Sequence, residues 1–487
     1  MSFPPVTATP LSTVTSSLST VTSVLSTMTS YTTPANSTTL DTDKCSQAES
    51  CSNMRFDPDS STIVTEWSLV CDRAWLGSLI ISIQMFGVMA GSFIAGQIGE
   101  RYGRKKNMYL WDLILALTNI IAVFALDWKM YAAIRFFIGI SVGGLLSSCQ
   151  LYPFEFTTGK WRAFIGGFPN WNVGVLSFSV CVYVLKDWKH IHMATAVMCG
   201  LALLPVWWTP ESLRWLAVHG RAREARGVAL KICRYNGKPI PDDHVTDFSC
   251  CEGGTVDKRA TVVQLFRRSL IKKTVLCCLI FFLLSVMYYA IGFGIGSLFG
   301  DFYLNFILLT AIMMPAFPLV PLLGNKLGRR WGSIILLAVA FSASVTIVIL
   351  SFVLDEDSSG NVVTGLTLTI SMFLGLSWDL ILPFVVELFP TSVRSLAVSF
   401  CYVAARFGGI GAPYMLPREA AAMFISFVVM AALTLLCCVL IFALPETNNR
   451  GLDDVMVARM IHAGGWNDEK LNKEGKVSVH LLENSKL

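Results

Sequence analysis

Arg406 lies in the middle of a long apolar stretch, in the segment AARFGGI at 404–410. An ionisable side chain that far from the ends of a membrane helix is costly, and it faces a polar cavity or a partner. Because the planar guanidinium suits bidentate binding of a carboxylate or sulfonate, Arg406 is a candidate anchor for an anionic substrate. The alternative is a structural ion pair with Asp379 on the preceding apolar segment. Both hold if a substrate anion competes with Asp379 for the guanidinium.

Asp379 is a second ionisable residue within the apolar part of the chain. If Arg406 is not its partner, its carboxylate can attract a substrate amine, which would make a site for zwitterions. Trp378, Tyr288 and Tyr289 would offer aromatic faces to cations or flat organic bodies, although each alone also fits an ordinary membrane aromatic. Weaker candidates for the same cavity are Trp171, Asn172 and Gln150.

Other chemistries have no pattern in the sequence. There is no G-x-x-x-x-G-K-[ST] phosphate loop, so direct coupling to ATP is not indicated. No H-E-x-x-H motif and no C-x-x-C pair is present, so no metal site is expected. We therefore expect neither a catalytic residue nor a cofactor, and an enzyme is not indicated.

Two short basic turns, one in each half, lie between long apolar segments: GQIGERYGRKK at 96–106 and the weaker NKLGRR at 325–330. Such clusters of Arg and Lys do not cross a bilayer, so both turns should face the cytoplasm. The same hairpin in each half predicts a protein built from duplicated halves, as many secondary transporters are.

The first turn also has a possible mechanical role. Glu100 and Arg104 can make charge-assisted bonds to a neighbouring helix end, which would hold one half against the other until the protein opens inward. The alternative is that the basic residues only fix topology, but charge alone does not explain Gly99 and Gly103. We expect Arg135 and Glu155 to belong to this gating network. The candidate gating residues are Gly96, Gly99, Glu100, Arg101, Gly103, Arg104, Lys105, Arg135 and Glu155, with Asn325, Gly328, Arg329, Arg330, Glu387 and Arg394 in the second half.

The chain of 487 residues is 54% hydrophobic and 15% charged, with a mean hydropathy of +0.58. This is too apolar for a soluble protein, and at roughly 20 residues per span the apolar runs provide about eleven spans. The net charge of +5 comes from basic residues clustered in loops, so it indicates topology and not nucleic-acid binding. The predicted spans are residues 75–98, 107–126, 130–152, 164–185, 191–208, 273–299, 302–323, 332–354, 363–385, 396–416 and 421–444.

The segments outside the spans set the expected organisation. A Ser/Thr-rich tail and extracellular segment occupies 1–74, with an N-glycosylation sequon at Asn36 that is a frequent chance match. The remaining expected regions are an N-terminal membrane bundle at 75–208, a central cytoplasmic loop at 209–272, a C-terminal bundle at 273–444 and a cytoplasmic tail at 445–487.

Several stretches together resemble one family. IVTEWSLVC at 63–71, RFFIGISVGG at 135–144, PESLRWL at 210–216 and ELFPTSVR at 387–394 are similar, in order and spacing, to signatures of the organic anion, organic cation and carnitine transporters of the major facilitator superfamily. The resemblance implies an all-α polytopic membrane protein of two helical bundles that moves small organic ions by alternating access in the plasma membrane. By the same resemblance, the position of Arg406 is basic in the anion and carnitine branches and acidic in typical cation transporters. Anions or carnitine-like zwitterions are therefore the expected substrates.

The chain also departs from that family. Members usually have a first helix, which lines the substrate path, where this sequence has its serine-rich tail, so we expect about eleven spans. Asn325 stands in the place of an acidic residue, and Phe317 where anion transporters often carry a second cavity lysine. Two alternatives stay open: an organic cation carrier with Asp379 as counter-charge, or a receptor or scaffold that does not transport.

Overall fold

The computed structural model describes residues 61–156, 170–237, 265–267, 270–316, 319–353, 356–389, 394–415 and 420–447. Within them the regular secondary structure is helical, apart from an isolated bridge between Ser61 and Asp187. The main helices are α1 (Trp75–Tyr102), α2 (Arg104–Ala122), α3 (Trp128–Phe156), α4 (Asn170–Leu185), α5 (Trp188–Leu203), α6 (Ile271–Phe293), α7 (Phe302–Ala311), α8 (Arg329–Val353), α9 (Glu356–Leu388), α10 (Arg394–Gly411) and α11 (Ala420–Phe442).

Most of the main helices are long enough to cross a bilayer. Eight of them are long and apolar enough to cross a membrane, and Asn172–Leu185 and Phe302–Ala311 are shorter apolar helices. Two further helices, Leu213–Val218 and Ala222–Tyr235, follow α5. The predicted absence of a first helix concerns residues 1–60, which lie outside the described residues, as does Asn36.

The seventh predicted span is not one helix. α7 ends at Ala311, and two short helices, Met313–Ala316 and Leu319–Lys326, continue the segment that the sequence predicted as a single span over 302–323. Proline lacks the backbone N–H of the helical ladder and clashes with the preceding turn, so repeated prolines interrupt a helix. The prolines of this segment are Pro315, Pro318 and Pro321.

Glycines let α1 and α3 pack with their backbones in contact. Gly87 and Gly91 on α1 face Gly139 and Gly143 on α3, and a Cβ added at any of the four would overlap a backbone carbonyl of the facing helix. Each helix therefore presents two small residues four apart, the spacing that lets membrane helices approach closely.

The helices form two bundles with matching contacts. In the first, α2 packs against α3 and α5; in the second, α8 packs against α9 and α11 in the same way. Between the bundles, α1 packs against α10 and α4 against α7, so α1 to α5 correspond in order to α7 to α11. The turns at Gly103 and Gly328 precede α2 and α8 and lie at one end of the helices, the basic end.

The bundles are joined at the opposite end. Ser82 Oγ on α1 donates to the Ile410 carbonyl on α10 at 2.8 Å. The rings of Tyr183 on α4 and Tyr303 on α7 meet edge to face, with centroids 6.0 Å apart. Both contacts lie near helix ends that point away from the basic end.

Candidate functional site

The first basic turn is organised around Glu211, which follows α5. Its Oε1 accepts the backbone N–H groups of Arg104 at 2.9 Å and Lys105 at 3.0 Å, at the start of α2. Gly103 has φ 108°, a conformation that L side chains rarely adopt, and an added Cβ would lie 2.5 Å from Glu211 Oε2. Arg104 Nε also lies 3.3 Å from Glu155 Oε1 at the end of α3. These charges join α2, α3 and the end of α5.

The second basic turn repeats the arrangement. Gly328 has φ 90°, and Glu446, which follows α11, accepts the backbone N–H groups of Arg329 at 3.0 Å and Arg330 at 3.2 Å. Arg329 Nε lies 3.4 Å from Glu387 Oε1 at the end of α9. Thr447 Oγ1 donates to Glu387 Oε2 at 2.7 Å. The predicted correspondence between the two turns therefore extends to their partners.

These clusters act within each bundle. Arg104, Glu155 and Glu211 belong to the first bundle, and Arg329, Glu387 and Glu446 to the second. The sequence predicted bonds from one half to the other at this turn. In the described part of the chain, the carboxylate of Glu100 is exposed and has no ion-pair partner, while its carbonyl accepts from Trp215 Nε1 at 2.8 Å.

The other residues of the first turn have distinct surroundings. A Cβ added at Gly99 would lie 2.8 Å from Asn107 Nδ2, so this glycine makes room for the start of α2. Gly96 has nothing within 4 Å of such a Cβ. Arg101 lies over the ring of Tyr102, with its guanidinium carbon 5.7 Å from the centroid.

Arg135 does not join this cluster, contrary to the sequence prediction. It lies about 20 residues before Glu155 on α3, or about 30 Å along the helix axis. Its side chain is 0% exposed, and Nε donates to the Tyr131 hydroxyl at 2.7 Å while Nη1 lies 3.3 Å from Gln84 Oε1. The Tyr131 hydroxyl is 3.1 Å from His192 Nε2. Arg135 therefore ties α1, α3 and α5 together near the opposite end.

Arg406 lies where the two bundles meet. Its Nη1 donates to the Tyr289 hydroxyl on α6 at 2.9 Å, and the Tyr289 ring stacks on Phe293 with centroids 5.7 Å apart. A Cβ added at Gly409 would lie 3.4 Å from the Tyr289 ring and 3.6 Å from Met85 Sδ on α1. The guanidinium is thus bonded to α6, while Gly409, three residues further along α10, lies close to the first bundle.

Asp379 is not the partner of Arg406. Among the described residues, Asp379 makes no hydrogen bond and no ion pair. Both residues can be placed by their distance from the basic end, where α9 ends at Leu388 and α10 begins. Asp379 is nine residues from that end and Arg406 twelve, which correspond to about 13 and 18 Å along the helices. The structure therefore presents two opposite charges at similar depth, without a bond between them.

Aromatic rings lie on α6 and α9, and among them Tyr289 contacts Arg406. Trp378 packs on Phe281 with ring centroids 5.3 Å apart. Tyr288 meets Tyr289 edge to face at 5.8 Å, and its ring is 3.8 Å from a Cβ added at Gly375 on α9. The three predicted aromatic residues thus lie on the facing helices α6 and α9.

Some predicted site residues can be placed only by their helix. Gln150 lies on α3, Trp171 on α4 and Asn325 in Leu319–Lys326, and Arg394 is the first residue of α10. Their side chains, and Phe317, lie outside what the structure describes. Asn172 is half-buried on α4.

Glu211 and Glu446 are the functional residues that the sequence prediction missed. The sequence prediction gives Glu211 no role beyond its place in the stretch PESLRWL at 210–216. The sequence contains a repeated motif that could have identified both glutamates. Pro-Glu-Ser follows the last helix of the first bundle, and Pro-Glu-Thr follows the last helix of the second. The pairing with a turn more than a hundred residues away is a tertiary contact, which local pattern does not encode.

The two helical bundles and the duplicated turns are features of a membrane transporter fold. The sequence matches the family described as "Sugar (and other) transporter" over residues 18–458, and the chain belongs to it. Solute carrier family 22 member 4 of Mus musculus is 28% identical over 454 residues, which cover 91% of this chain and 80% of that protein. Organic cation/carnitine transporter 2 of Homo sapiens is 27% identical over 437 residues, covering 87% and 77%. The predicted membership of the organic ion and carnitine group of the major facilitator superfamily is confirmed.

Solved structures agree on the fold. The proton:xylose symporter XylE bound to 6-bromo-6-deoxy-D-glucose has a TM-score of 0.65 at 15% identity, covering 92% of this chain and 98% of that one. The inward open conformation of XylE from E. coli has a TM-score of 0.64 at 15% identity, with the same coverage. The predicted all-α, multi-pass major facilitator fold is confirmed, and family and fold are those of transporters with small-molecule substrates.

Proposed function

We propose that the protein is a secondary transporter of small organic ions that works by alternating access and prefers anions or zwitterions such as carnitine-like molecules. One observation carries this proposal. Arg406, within α10, donates to Tyr289 and has no carboxylate partner among the described residues. A guanidinium without a counter-charge at this depth is the feature that an anionic substrate would satisfy.

The chemistry of the guanidinium supports an anion. Its N–H groups form a rigid fork, of which Tyr289 takes one donor, so the others can bind a carboxylate in bidentate fashion. Placing an arginine at the bilayer centre costs about 2.5–3.5 kcal/mol on insertion scales. A substrate carboxylate would offset part of that cost each time it binds.

Asp379 extends the proposal to zwitterions. Its carboxylate lies at a depth similar to that of Arg406, and the two are not bonded to each other. A molecule with an ammonium group and a carboxylate separated by a short chain would satisfy both. The faces of Trp378 and Tyr288 would support a quaternary ammonium group by cation–π attraction. Relatives named as organic cation/carnitine transporters fit this class.

The charge of the loops supports an orientation. Basic residues in short loops stay in the cytoplasm, so the basic end would face the cytoplasm, and the chain after α11 with it. The plasma membrane is the location that the resemblance suggests. The bundles meet at the end away from the basic turns, which supports a state whose substrate path leads to the cytoplasm.

An organic cation carrier is the second candidate. The observation in its favour is that Asp379, which follows Trp378 in α9, has no partner among the described residues. In that case Asp379 would bind the substrate cation, and Arg406 would only support the α6–α10 contact through Tyr289.

Uptake of labelled p-aminohippurate, carnitine and tetraethylammonium into cells that express the chain separates these functions. Arg406→Ala should abolish anion and carnitine uptake, whereas Asp379→Asn should reduce carnitine uptake and spare the anion. Arg223→Ala, at an exposed arginine of Ala222–Tyr235, is the matched control. Tetraethylammonium uptake that depends on Asp379 but not on Arg406 would establish the cation carrier. No uptake of any probe by a chain that reaches the surface would favour a non-transporting protein.

A further inference from the structure

Two cysteine side chains meet at the interface between α6 and α10. The Sγ of Cys278 lies 4.0 Å from the Sγ of Cys401. Each cysteine is two turns from the start of its helix, about 10 Å from the basic end. The Arg406–Tyr289 hydrogen bond joins the same two helices farther from that end.

We propose that Cys278 and Cys401 form a reversible disulfide when the protein is exposed to hydrogen peroxide or a related two-electron oxidant. The link would join α6 to α10 on the basic-end side of the candidate substrate site. The assignment depends only on these two side chains and holds whichever ion the protein carries.

The geometry favours this pair. A disulfide needs an S–S distance of about 2.05 Å, so the two sulfurs must approach by about 2 Å, within reach of small side-chain rotations. The backbones are already held together, because Ser285 Oγ on α6 donates to the Ala405 carbonyl on α10. Both thiols are free in the structure.

The two cysteines differ in access, which assigns their roles. Cys278 is half-buried and Cys401 is buried. Exposed thiolates react first with peroxide, and a neighbouring cysteine then resolves the product. The Cys278 thiolate attacks one peroxide oxygen, which gives a sulfenic acid and releases hydroxide. The Cys401 thiol then attacks the sulfenic sulfur and displaces hydroxide, which leaves as water with the Cys401 proton. The Cys278 proton converts the first hydroxide to water, so two thiols and one peroxide give one disulfide and two waters.

Other cysteines provide matched controls. Cys277 is adjacent to Cys278 but buried, and Cys438 on α11 is half-buried, as Cys278 is. The sulfurs of Cys278 and Cys401 contact each other across two helices, whereas no contact of Cys438 with another sulfur is seen among the described residues. Access alone would make Cys438 as reactive as Cys278, so a difference in their products isolates the effect of the facing thiol.

The test uses the full chain in membranes treated with hydrogen peroxide. Remaining thiols are blocked with N-ethylmaleimide, and the digested peptides are analysed by mass spectrometry before and after dithiothreitol. We expect a peptide pair that joins residues 278 and 401 and separates on reduction. The link should persist in Cys277→Ser and Cys438→Ser and disappear in Cys278→Ser and in Cys401→Ser. A Cys278 that ends as sulfinic acid, or a link that survives Cys401→Ser, would overturn the assignment.

Discussion

Glu211 and Glu446 hold equivalent places in the two halves of the chain: each carboxylate accepts the first backbone N–H groups of the helix after a basic turn. These donors have no partner within their own helix, and a negative charge there also interacts favourably with the helix dipole. Because each glutamate follows the last helix of its bundle, Glu211 ties α5 to α2 and Glu446 ties α11 to α8. The basic turns therefore have a structural role inside each bundle.

Glu211→Ala should lower the stability of the first bundle. It removes an acceptor from the start of α2, a kind of loss that costs about 0.5–2 kcal/mol at helix N-termini. The apparent melting temperature of the detergent-solubilised protein, followed by size-exclusion fluorescence, should fall, and Glu446→Ala should do the same. Glu224→Ala is the control, because its pair with Arg221 is largely exposed. A Glu211 variant as stable as the Glu224 variant would contradict this role.

Gly103→Ala should be destabilising, whereas Gly96→Ala should be neutral or slightly stabilising. The first substitution forces an L residue into φ 108° and ψ 156°, which costs about 1–3 kcal/mol, and brings its Cβ to 2.5 Å from Glu211 Oε2. Gly96 lies in α1 with nothing within 4 Å of an added Cβ, and alanine is the better helix former there. The same melting assay compares the two. Equal melting temperatures would mean that the backbone of the turn adapts.

Arg135→Met should destabilise the protein through the end opposite the basic turns. It removes donors from the Tyr131 hydroxyl and from Gln84 Oε1, a loss of about 1–3 kcal/mol for buried hydrogen bonds. Lys129→Met, at an exposed position of the same helix, is the matched control. A Glu155→Gln change should add independently to Arg135→Met, since the two sites are far apart. Strong coupling between them would restore the predicted common network.

Most of the helical architecture follows from the sequence. Apolar runs of bilayer length predict spans such as α6 and α8 without knowledge of contacts. The basic turns predict that the chain consists of two duplicated halves, because the same glycine and arginine pattern occurs in each half. Apolar composition alone predicts one continuous helix for the seventh span. The structure breaks this helix in the segment that contains its prolines.

The site was harder to predict, because its contacts join distant parts of the chain. The cost of placing a charge within a membrane helix identifies Arg406 as a candidate from the sequence. The sequence pattern does not show that its hydrogen bond goes to Tyr289 and not to Asp379. Arg135 was predicted to share the network of Glu155, whereas its side chain bonds to Tyr131 and Gln84. Its distance from Glu155 along α3 was already calculable from residue numbers.

Asp379→Asn should separate zwitterion binding from anion binding. The substitution keeps the volume of the side chain and removes the charge that would attract an ammonium group. The Michaelis constant for carnitine uptake should rise severalfold while that for p-aminohippurate changes little. An unchanged constant for carnitine would remove Asp379 from the substrate site.

The most direct measurement is uptake of labelled carnitine and p-aminohippurate by the purified protein in proteoliposomes, compared among the unaltered chain, Arg406→Ala and Arg406→Lys. If the guanidinium anchors the substrate carboxylate, uptake of both should be lost in Arg406→Ala and partly kept in Arg406→Lys, with both variants folded and monodisperse. Uptake that persists at full rate in a folded Arg406→Ala protein would contradict the central claim.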